Sequence, residues 1–316
     1  MTEVLKETNF AFLGKKRAGK VRDIYEPSTG RGQGILILIS TDRHSSFDRL
    51  IAHVPHKGQV LNQLSAFSFQ KTADIIPNHV LAVPDPNVTV GKKLKTVPIE
   101  AVVRGYLTGV TDTAIWTRYS KGERSFGGLT LHDGMKKNQK LLTPIFDPTT
   151  KEEMHDRTLT PEEMIAGSFI TEELFERVKR TALALFARGQ EIAAKRGLIL
   201  VDTKYEFGTD ENENLVLIDE IHTPDSSRYW QLGSYEERIA AGEEPEYFDK
   251  EFLRLWFKEH CDPYKDKILP PAPPELVEEL SRRYIQMYEQ ITGEKFVPGG
   301  EPIIPRIEEN LKAYGV

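Results

Sequence analysis

An α+β fold in two lobes is what this 316-residue sequence predicts: an antiparallel-sheet N-terminal lobe, then a larger α+β lobe with a helical C-terminal tail. Three observations carry the expectation. Short strand-like runs separated by turn clusters fill the first 100 residues, an amphipathic helix leads directly into an acidic hairpin near residue 200, and the last 70 residues show helical spacing around "ILPPAPP". The reading divides the chain into residues 1–98, a β-rich nucleotide-covering lobe; 99–245, a central lobe with the metal and substrate site; and 246–316, a helical extension packed on the central lobe.

Each element has its own reason. "KVRDIYE" alternates, "PSTGRGQG" is a turn cluster and "GILILIS" reads as a buried strand, so residues 10–40 predict an antiparallel hairpin. "VLNQLSAFSFQKTAD" predicts a helix on Val60, Leu61, Leu64 and Phe67. "HVLAVP" and "VPIEAVVRGYL" read as strands on either side of a turn rich in Pro, Asp and Gly, and residues 117–165 read as irregular and polar. Thr171 caps a helix with the stripe Leu174, Val178, Ala182, Leu185, Phe186 and Ile192, ending at Gly197. In the tail, helices are expected near 249–259 and 275–292, with a short one after Pro305.

Composition excludes several function classes. The chain is 39% hydrophobic and 28% charged with a net charge of -6, which gives no overall basic field for nucleic acid or an acidic membrane. The single cysteine, Cys261, leaves no internal disulfide and no zinc site built on several cysteines. No run approaches the roughly 18 apolar residues of a membrane span and the N-terminus lacks a signal-peptide core, so a cytoplasmic protein is expected.

The chemistry begins in "LILVDTKYEFGTDENENLVLIDEIHTPDSSRYW". Asp202, Lys204 and Glu206 alternate, so on a strand they share one face. If Asp210 and Leu215 flank a four-residue loop, Glu206 sits opposite Asp219, and opposed carboxylates favour a cation between them. Magnesium takes hard oxygen ligands, commonly one or two carboxylates plus phosphates, and Glu206 and Asp219 fit that role, with Lys204 beside them to neutralise a transferring phosphoryl group. Ser226, Ser227 and Arg228 follow as an anion cluster, and Arg104 leaves an apolar strand as a second candidate. "GKKRAGKV", Gly14 to Val21, matches all but the last position of a phosphate loop; Val21 has no hydroxyl for magnesium, and a strand follows where a helix is required. The better reading is a glycine hairpin covering ATP phosphates with its backbone and with Lys15, Lys20 and Arg22; a solvated basic turn is the alternative for the motif alone. The sum is a two-lobed enzyme binding ATP, Mg2+ and a second phosphorylated ligand.

Eight stretches in order, "GKVRDIYE", "STDRHSSFD", "PHKGQVLNQLSAFSF", "IEAVVRGYLTG", "MKKNQKL", "PTTKEEMHD", "VDTKYEFG" and "LIDEIHTPDSSRYW", resemble one family, phosphoribosylaminoimidazole-succinocarboxamide synthase, or SAICAR synthetase, in its longer fungal and bacterial form. The resemblance implies an ATP-grasp-like fold and ATP-dependent joining of L-aspartate to carboxyaminoimidazole ribotide (CAIR) in purine biosynthesis. It implies that the hairpin residues Lys15, Gly19, Lys20, Val21 and Arg22 cover ATP while the Ile99, Glu100 and Val102 segment meets adenine. Lys204 becomes a phosphate or carboxylate contact, Glu206 and Asp219 metal ligands, and Arg104, Ser227 and Arg228 the clamp on the ribotide phosphate. Asp42, Ser45, Ser46 and Lys57 fall on a loop of the CAIR and aspartate side, and Asp156 on a family "HD" that binds CAIR or a second metal. Partners are then small molecules, in a monomer or small homo-oligomer. Three departures stand out: Val110 where many members have serine, and His44 and Ser46 where isoleucine or leucine and alanine are common. Two other classes stay open. A kinase-like phosphotransferase lacks "HRD" and "DFG" here, and a non-catalytic nucleotide-binding regulator would need no anion clamp; ADP release that requires both CAIR and aspartate separates them.

Overall fold

The structure, a computed structural model, describes residues 2–27, 33–47, 49–111, 113–150, 160–167, 169–247 and 251–314. In chain order its elements are β1 (Lys15–Ala18), β2 (Arg22–Glu26), β3 (Ile35–Ser40), β4 (Arg43–Ser46), β5 (Arg49–His53), α1 (Lys57–Lys71), β6 (Val80–Asp85), β7 (Val88–Lys92), β8 (Lys95–Thr96) and β9 (Ile99–Tyr106). After these come α2 (Ile115–Ser120), β10 (Ser125–Phe126), β11 (Leu129–Thr130), β12 (Lys140–Phe146), β13 (Thr149–Thr150), α3 (Pro161–Ala166), α4 (Glu172–Ala194) and β14 (Leu198–Thr209). The remainder is β15 (Leu215–Ile218), β16 (Ser227–Gln231), α5 (Leu232–Ala241), α6 (Glu251–His260), α7 (Pro274–Thr292) and α8 (Ile303–Leu311). Two compact units result: Met1–Phe67 with His79–Lys93 and Asp249–Val316, and Ser68–Asn78 with Leu94–Phe248.

The first unit is an antiparallel five-stranded sheet in the order β1-β2-β3-β7-β6. Its hairpins are as the sequence predicts, with β1 on β2 and β2 on β3. Between β3 and β6 lies β7, which the sequence reading passed over because Pro-Asp-Pro-Asn before it and Gly-Lys-Lys after it look like turn; burial of Val88 and Val90 makes it a central strand. The helical tail belongs to this unit, which corrects the expectation that it packs on the central lobe. Ile307 and Leu311 of α8 share one core with Leu5, Tyr25, Ile37 and Val90. The short helix also starts earlier than expected, at Ile303, so Pro305 occupies its first turn, where no intrahelical N–H bond is lost.

The second unit centres on an antiparallel sheet in which β9 and β14 are interior strands, β16 pairs with β14, and β12 forms an edge. Thr171 caps α4 as predicted, its hydroxyl accepting from the Leu174 N–H at 3.3 Å. The helix lies on the sheet at glycines: a Cβ on Gly105 would meet the Phe186 ring at 3.1 Å. Residues 117–150 are less irregular than expected, because β12 pairs with β9 through a bulge; Pro144 and a 96% exposed Leu142 hide its alternation. The acidic hairpin is one residue out of the expected register. Glu206 faces Ile218, and Thr209 pairs with Leu215 across a five-residue loop. The cause is Asp210, whose carboxylate accepts from the Asn212 and Asn214 N–H groups at 2.9 and 2.8 Å and leaves the ladder for the loop. Asp219 therefore lies beyond β15, in the left-handed region at φ 67°. Among the described residues no helix is long and apolar enough to cross a membrane.

Candidate functional site

One face of β14 carries a graded row of charge. Opposite Asp202 stand Arg104 on β9 and Arg228 on β16, so one line across three strands reads arginine, aspartate, arginine. Two residues along the strand comes Lys204, and two further comes Glu206. From the arginines to Glu206 is about 13 Å at the usual strand rise. A fold that alternates side chains produces such a face from a D-x-K-x-E spacing alone.

At the acidic end Lys204 Nζ lies 2.6 Å from Glu206 Oε1 and 2.9 Å from Glu100 Oε1. Burial would lower the lysine's pKa, but the carboxylates of Glu206, Asp219 and Glu100 outweigh it and hold the ammonium well above the ordinary range. Lys204 is thus a neutralising cation among these acids. Asp219 remains within the lysine's electrostatic reach although it does not oppose Glu206. Glu100, expected among the nucleotide contacts, has its side chain in this cluster. Its neighbours Ile99 and Val102 form an interior strand rather than a connector: β13 pairs with Ile99 and Glu100, and the Val102 carbonyl accepts from Asp147 N–H at 2.9 Å. The backbone of this segment, expected to meet adenine, is thus paired within the sheet at these positions. Among the described residues no group of three or more His, Cys, Asp or Glu side chains is placed to hold a metal ion.

At the cationic end Arg104 donates from Nε to Asp147 Oδ2 at 2.8 Å, and Arg118 Nη1 reaches both Asp147 oxygens at 3.0 Å. Arg228 Nη1 stands 3.3 Å from Asp202 Oδ2, an ion pair without hydrogen-bond geometry. Ser227 Oγ lies 2.8 Å from Thr203 Oγ1, and Ser226 caps the turn by exchanging hydrogen bonds with Thr223. Two guanidinia on one side of a sheet suit a phosphate, while the Thr203–Ser227 hydroxyl pair, one register position along, falls on the alternate side. Sequence reasoning missed Asp147 and Arg118; an aspartate directly after an apolar strand, in "PIFDP", was the available signal. Gly109, at φ 105°, admits no side chain, since a Cβ would lie 2.5 Å from Ala114 Cβ. Next to it Val110 is 58% exposed. The Thr108 hydroxyl donates to Asn138 Oδ1 at 2.6 Å.

In the first unit Gly19 and Lys20 lie in the turn of the β1–β2 hairpin, flanked by Lys15 on β1 and by Val21 and Arg22 at the start of β2. Gly19 N–H donates to Arg22 O at 2.7 Å, and Thr41 donates from both N and Oγ1 to the Val21 carbonyl. Arg43, which the sequence reading overlooked, donates to the Gly19 and Lys20 carbonyls at 3.1 and 3.3 Å and so fixes the turn. Asp42, predicted to face substrate, is instead a buried clamp: its two oxygens accept from Leu5 and Gly58 N–H at 2.8 and 2.9 Å. Burial pushes its carboxyl up to about 6, with those bonds and the charges of Lys57 and Arg306 pulling the other way. Lys57 is fully buried at the start of α1, its ammonium 5.5 Å from the Tyr284 ring centre, rather than presented to a ligand. Ser45 is half-buried and Ser46 buried in the β4–β5 hairpin. Asp156 lies outside the described residues.

Comparison with known proteins adds a family to this geometry. A family model described as SAICAR synthetase matches residues 15–271. A phosphoribosylaminoimidazole-succinocarboxamide synthase of Legionella pneumophila is 55% identical over 98% of both chains. A chloroplastic enzyme of that name from Arabidopsis thaliana is 52% identical over 98% of this chain and 76% of its own. The solved SAICAR synthase from Saccharomyces cerevisiae, complexed with SAICAR, superposes with a TM-score of 0.79 at 31% identity, covering 94% of this chain and 100% of that one.

Proposed function

The chain belongs to the SAICAR synthetase family, and from that premise we propose how its residues perform the family reaction. The protein is an ATP-dependent ligase that joins L-aspartate to CAIR, giving SAICAR, ADP and phosphate. The observation that carries the residue assignment is the graded face of β9, β14 and β16: a pair of arginines at one end, carboxylates around a lysine at the other. A ribotide has a phosphate at one extremity and, in CAIR, a carboxylate at the other, so it can lie along that face. Arg104, Ser227 and Arg228 hold the phosphate; Lys204 meets the carboxylate end, where the γ-phosphoryl group of ATP arrives.

A carboxylate resists attack by an amine because oxide would have to leave. We assign the solution to an acyl phosphate: a CAIR carboxylate oxygen bonds to Pγ as the bond to ADP breaks, then the aspartate amine adds to the acyl carbon, phosphate leaves, and the amine gives up its proton. Lys204 neutralises charge on the transferring oxygens without moving far, since Glu206 and Glu100 already hold it in place. Glu206 and Asp219 are the residues that would hold Mg2+; two hard oxygen donors completed by phosphate oxygens suit that ion, which would supply further charge neutralisation at the phosphates. The hairpin residues Lys15, Gly19, Lys20, Val21 and Arg22 are assigned to ATP, and Ser45 and Ser46 to the CAIR and aspartate loop. The enzyme acts in the cytoplasm on small molecules, as a monomer or small homo-oligomer. With ¹⁸O in the CAIR carboxylate, one labelled oxygen should emerge in inorganic phosphate during turnover; unlabelled phosphate beside normal product would overturn the acyl phosphate.

A further inference from the structure

On the hidden face of β14, between Lys204 and Glu206, stands Tyr205, which is fully buried. Its hydroxyl lies 2.7 Å from Nε2 of His222, itself buried and in the left-handed region at φ 55°. Tyr229 adds a second tie, donating from its hydroxyl to the His222 carbonyl at 2.9 Å. Asp219 sits three residues before that histidine, already outside the β15 ladder, which ends at Ile218. On either side of the histidine, Ile221 and Thr223 are wholly buried. A bulky imidazole has room there because α4 presents Gly189, where a Cβ would come within 2.6 Å of His222 Cε1 and of Leu200 Cδ2. Left-handed conformation in two non-glycine residues of one short segment costs free energy, and surrounding contacts must hold it.

We propose that the Tyr205–His222 pair is a positioning device, which sets Asp219 relative to Glu206 so that both reach one divalent cation, with Gly189 as the clearance that admits the histidine. The inference rests on the assignment of Asp219 and Glu206 as metal ligands. Glu206 pairs with Ile218, the last residue of the ladder, and beyond it the turn that carries Asp219 is tied back to the strand by the Tyr205 hydroxyl on His222. Burial drives the imidazole's pKa down to about 3 and raises the phenol's, so both partners stay neutral and the bond is constant across the working pH range.

The test measures Mn2+ binding by electron paramagnetic resonance in the presence of ATP and without CAIR, alongside the Mg2+ dependence of turnover. Tyr205→Phe, which removes only the hydroxyl, should weaken Mn2+ by about tenfold, as loss of a group orienting a metal ligand does, while KM for CAIR stays near the native value. His222→Gln, which restores a hydrogen-bonding group near the Nε2 position, should bind Mn2+ better than His222→Ala, and Gly189→Ala should resemble His222→Ala. Asp219→Asn is the control. If it weakens Mn2+ and Tyr205→Phe does not, the positioning role is refuted and the metal assignment stands. If Asp219→Asn itself leaves Mn2+ binding unchanged, the metal assignment falls and this inference with it.

Discussion

Replacing Lys204 with methionine is expected to unbalance the acidic cluster, and the structure gives the size of the effect. The ammonium is in contact with Glu206 and Glu100 at 2.6 and 2.9 Å, and its side chain is 30% exposed against 10% and 14% for the two glutamates. Exposed ion pairs contribute about 0–1 kcal/mol each, and stripping a partner from a fully buried pair costs about 3–5 kcal/mol. A partly exposed lysine serving two acids belongs between these, so Lys204→Met should lose about 2 kcal/mol, or about 3 °C in the thermal midpoint of a chain this long.

The pH dependence supplies the sharper criterion. In the native protein the lysine's pKa is raised, so its contribution is complete below the ordinary lysine value and is lost only in strong alkali. In the variant, Glu100, Glu206 and Asp219 repel one another without compensation, which lifts their folded pKa values above the unfolded ones. The native state then binds more protons than the unfolded state through the carboxylate range, and the variant's stability must fall as pH rises from about 4 to about 6. Thermal unfolding by circular dichroism at several pH values reads both quantities, and turnover should drop by about 100-fold or more at neutral pH. A variant midpoint equal to the native one at pH 7, with no added pH dependence between 4 and 6, would refute the claim that Lys204 neutralises these carboxylates.

Other outcomes follow from the same geometry. Glu206→Gln and Asp219→Asn should each remove most turnover; Glu206→Gln should also lower the thermal midpoint, because it forfeits the Lys204 ion pair rather than relieving a repulsion, and steady-state rates with differential scanning calorimetry check both. Arg228→Ala should raise KM for CAIR far more than for ATP or aspartate, by an amount worth about 2–4 kcal/mol, and should make inorganic phosphate a poorer competitor. An unchanged CAIR KM would move the phosphate clamp elsewhere. Asp42 has a folded pKa raised to about 6 by burial, above its unfolded value, so the stability it contributes is complete below the unfolded value and declines as pH rises through about 6. Asp42→Asn should flatten that slope in a pH series of unfolding midpoints; an undiminished slope would assign it to another group.

How much of this was legible depended on whether a feature was local. The caps and stripe of α4, the glycine hairpin of β1 and β2, and the two helices α6 and α7 each announce themselves within one segment, and each stands where the sequence put it to within a few residues. Features decided by a neighbouring segment did not. Pairing with β9 makes a strand of "KLLTPIF" despite Pro144 and an exposed Leu142, and the core around Tyr25 and Val90 draws α8 to the first unit, although its own spacing shows only that it has an apolar face. Asp42 illustrates the same limit for function: an aspartate in a polar loop reads as a ligand contact, whereas the backbone N–H groups of Leu5 and Gly58, distant in sequence, take both its oxygens.

The acidic hairpin separates the two kinds of inference within a single motif. That Asp202, Lys204 and Glu206 share a face follows from alternation along one strand, and no error in pairing can change it. That Asp219 opposes Glu206 required a loop length as well, and Asp210 altered that length by capping Asn212 and Asn214. The slip has a chemical consequence. In the expected register two carboxylates would lean on each other from adjacent strands, a repelling pair that a cation must relieve. In the observed one Glu206 faces Ile218 and leans on Lys204, while Asp219 approaches the same lysine from a left-handed turn beyond the ladder. Two acids reaching one point from different backbone directions are better suited to share an ion with phosphate oxygens than two acids stacked in register, because the coordination sphere between them is left for the ligand. On the proposed metal assignment, the departure from regular pairing at Asp219 is what would let the two acids act as a pair of donors.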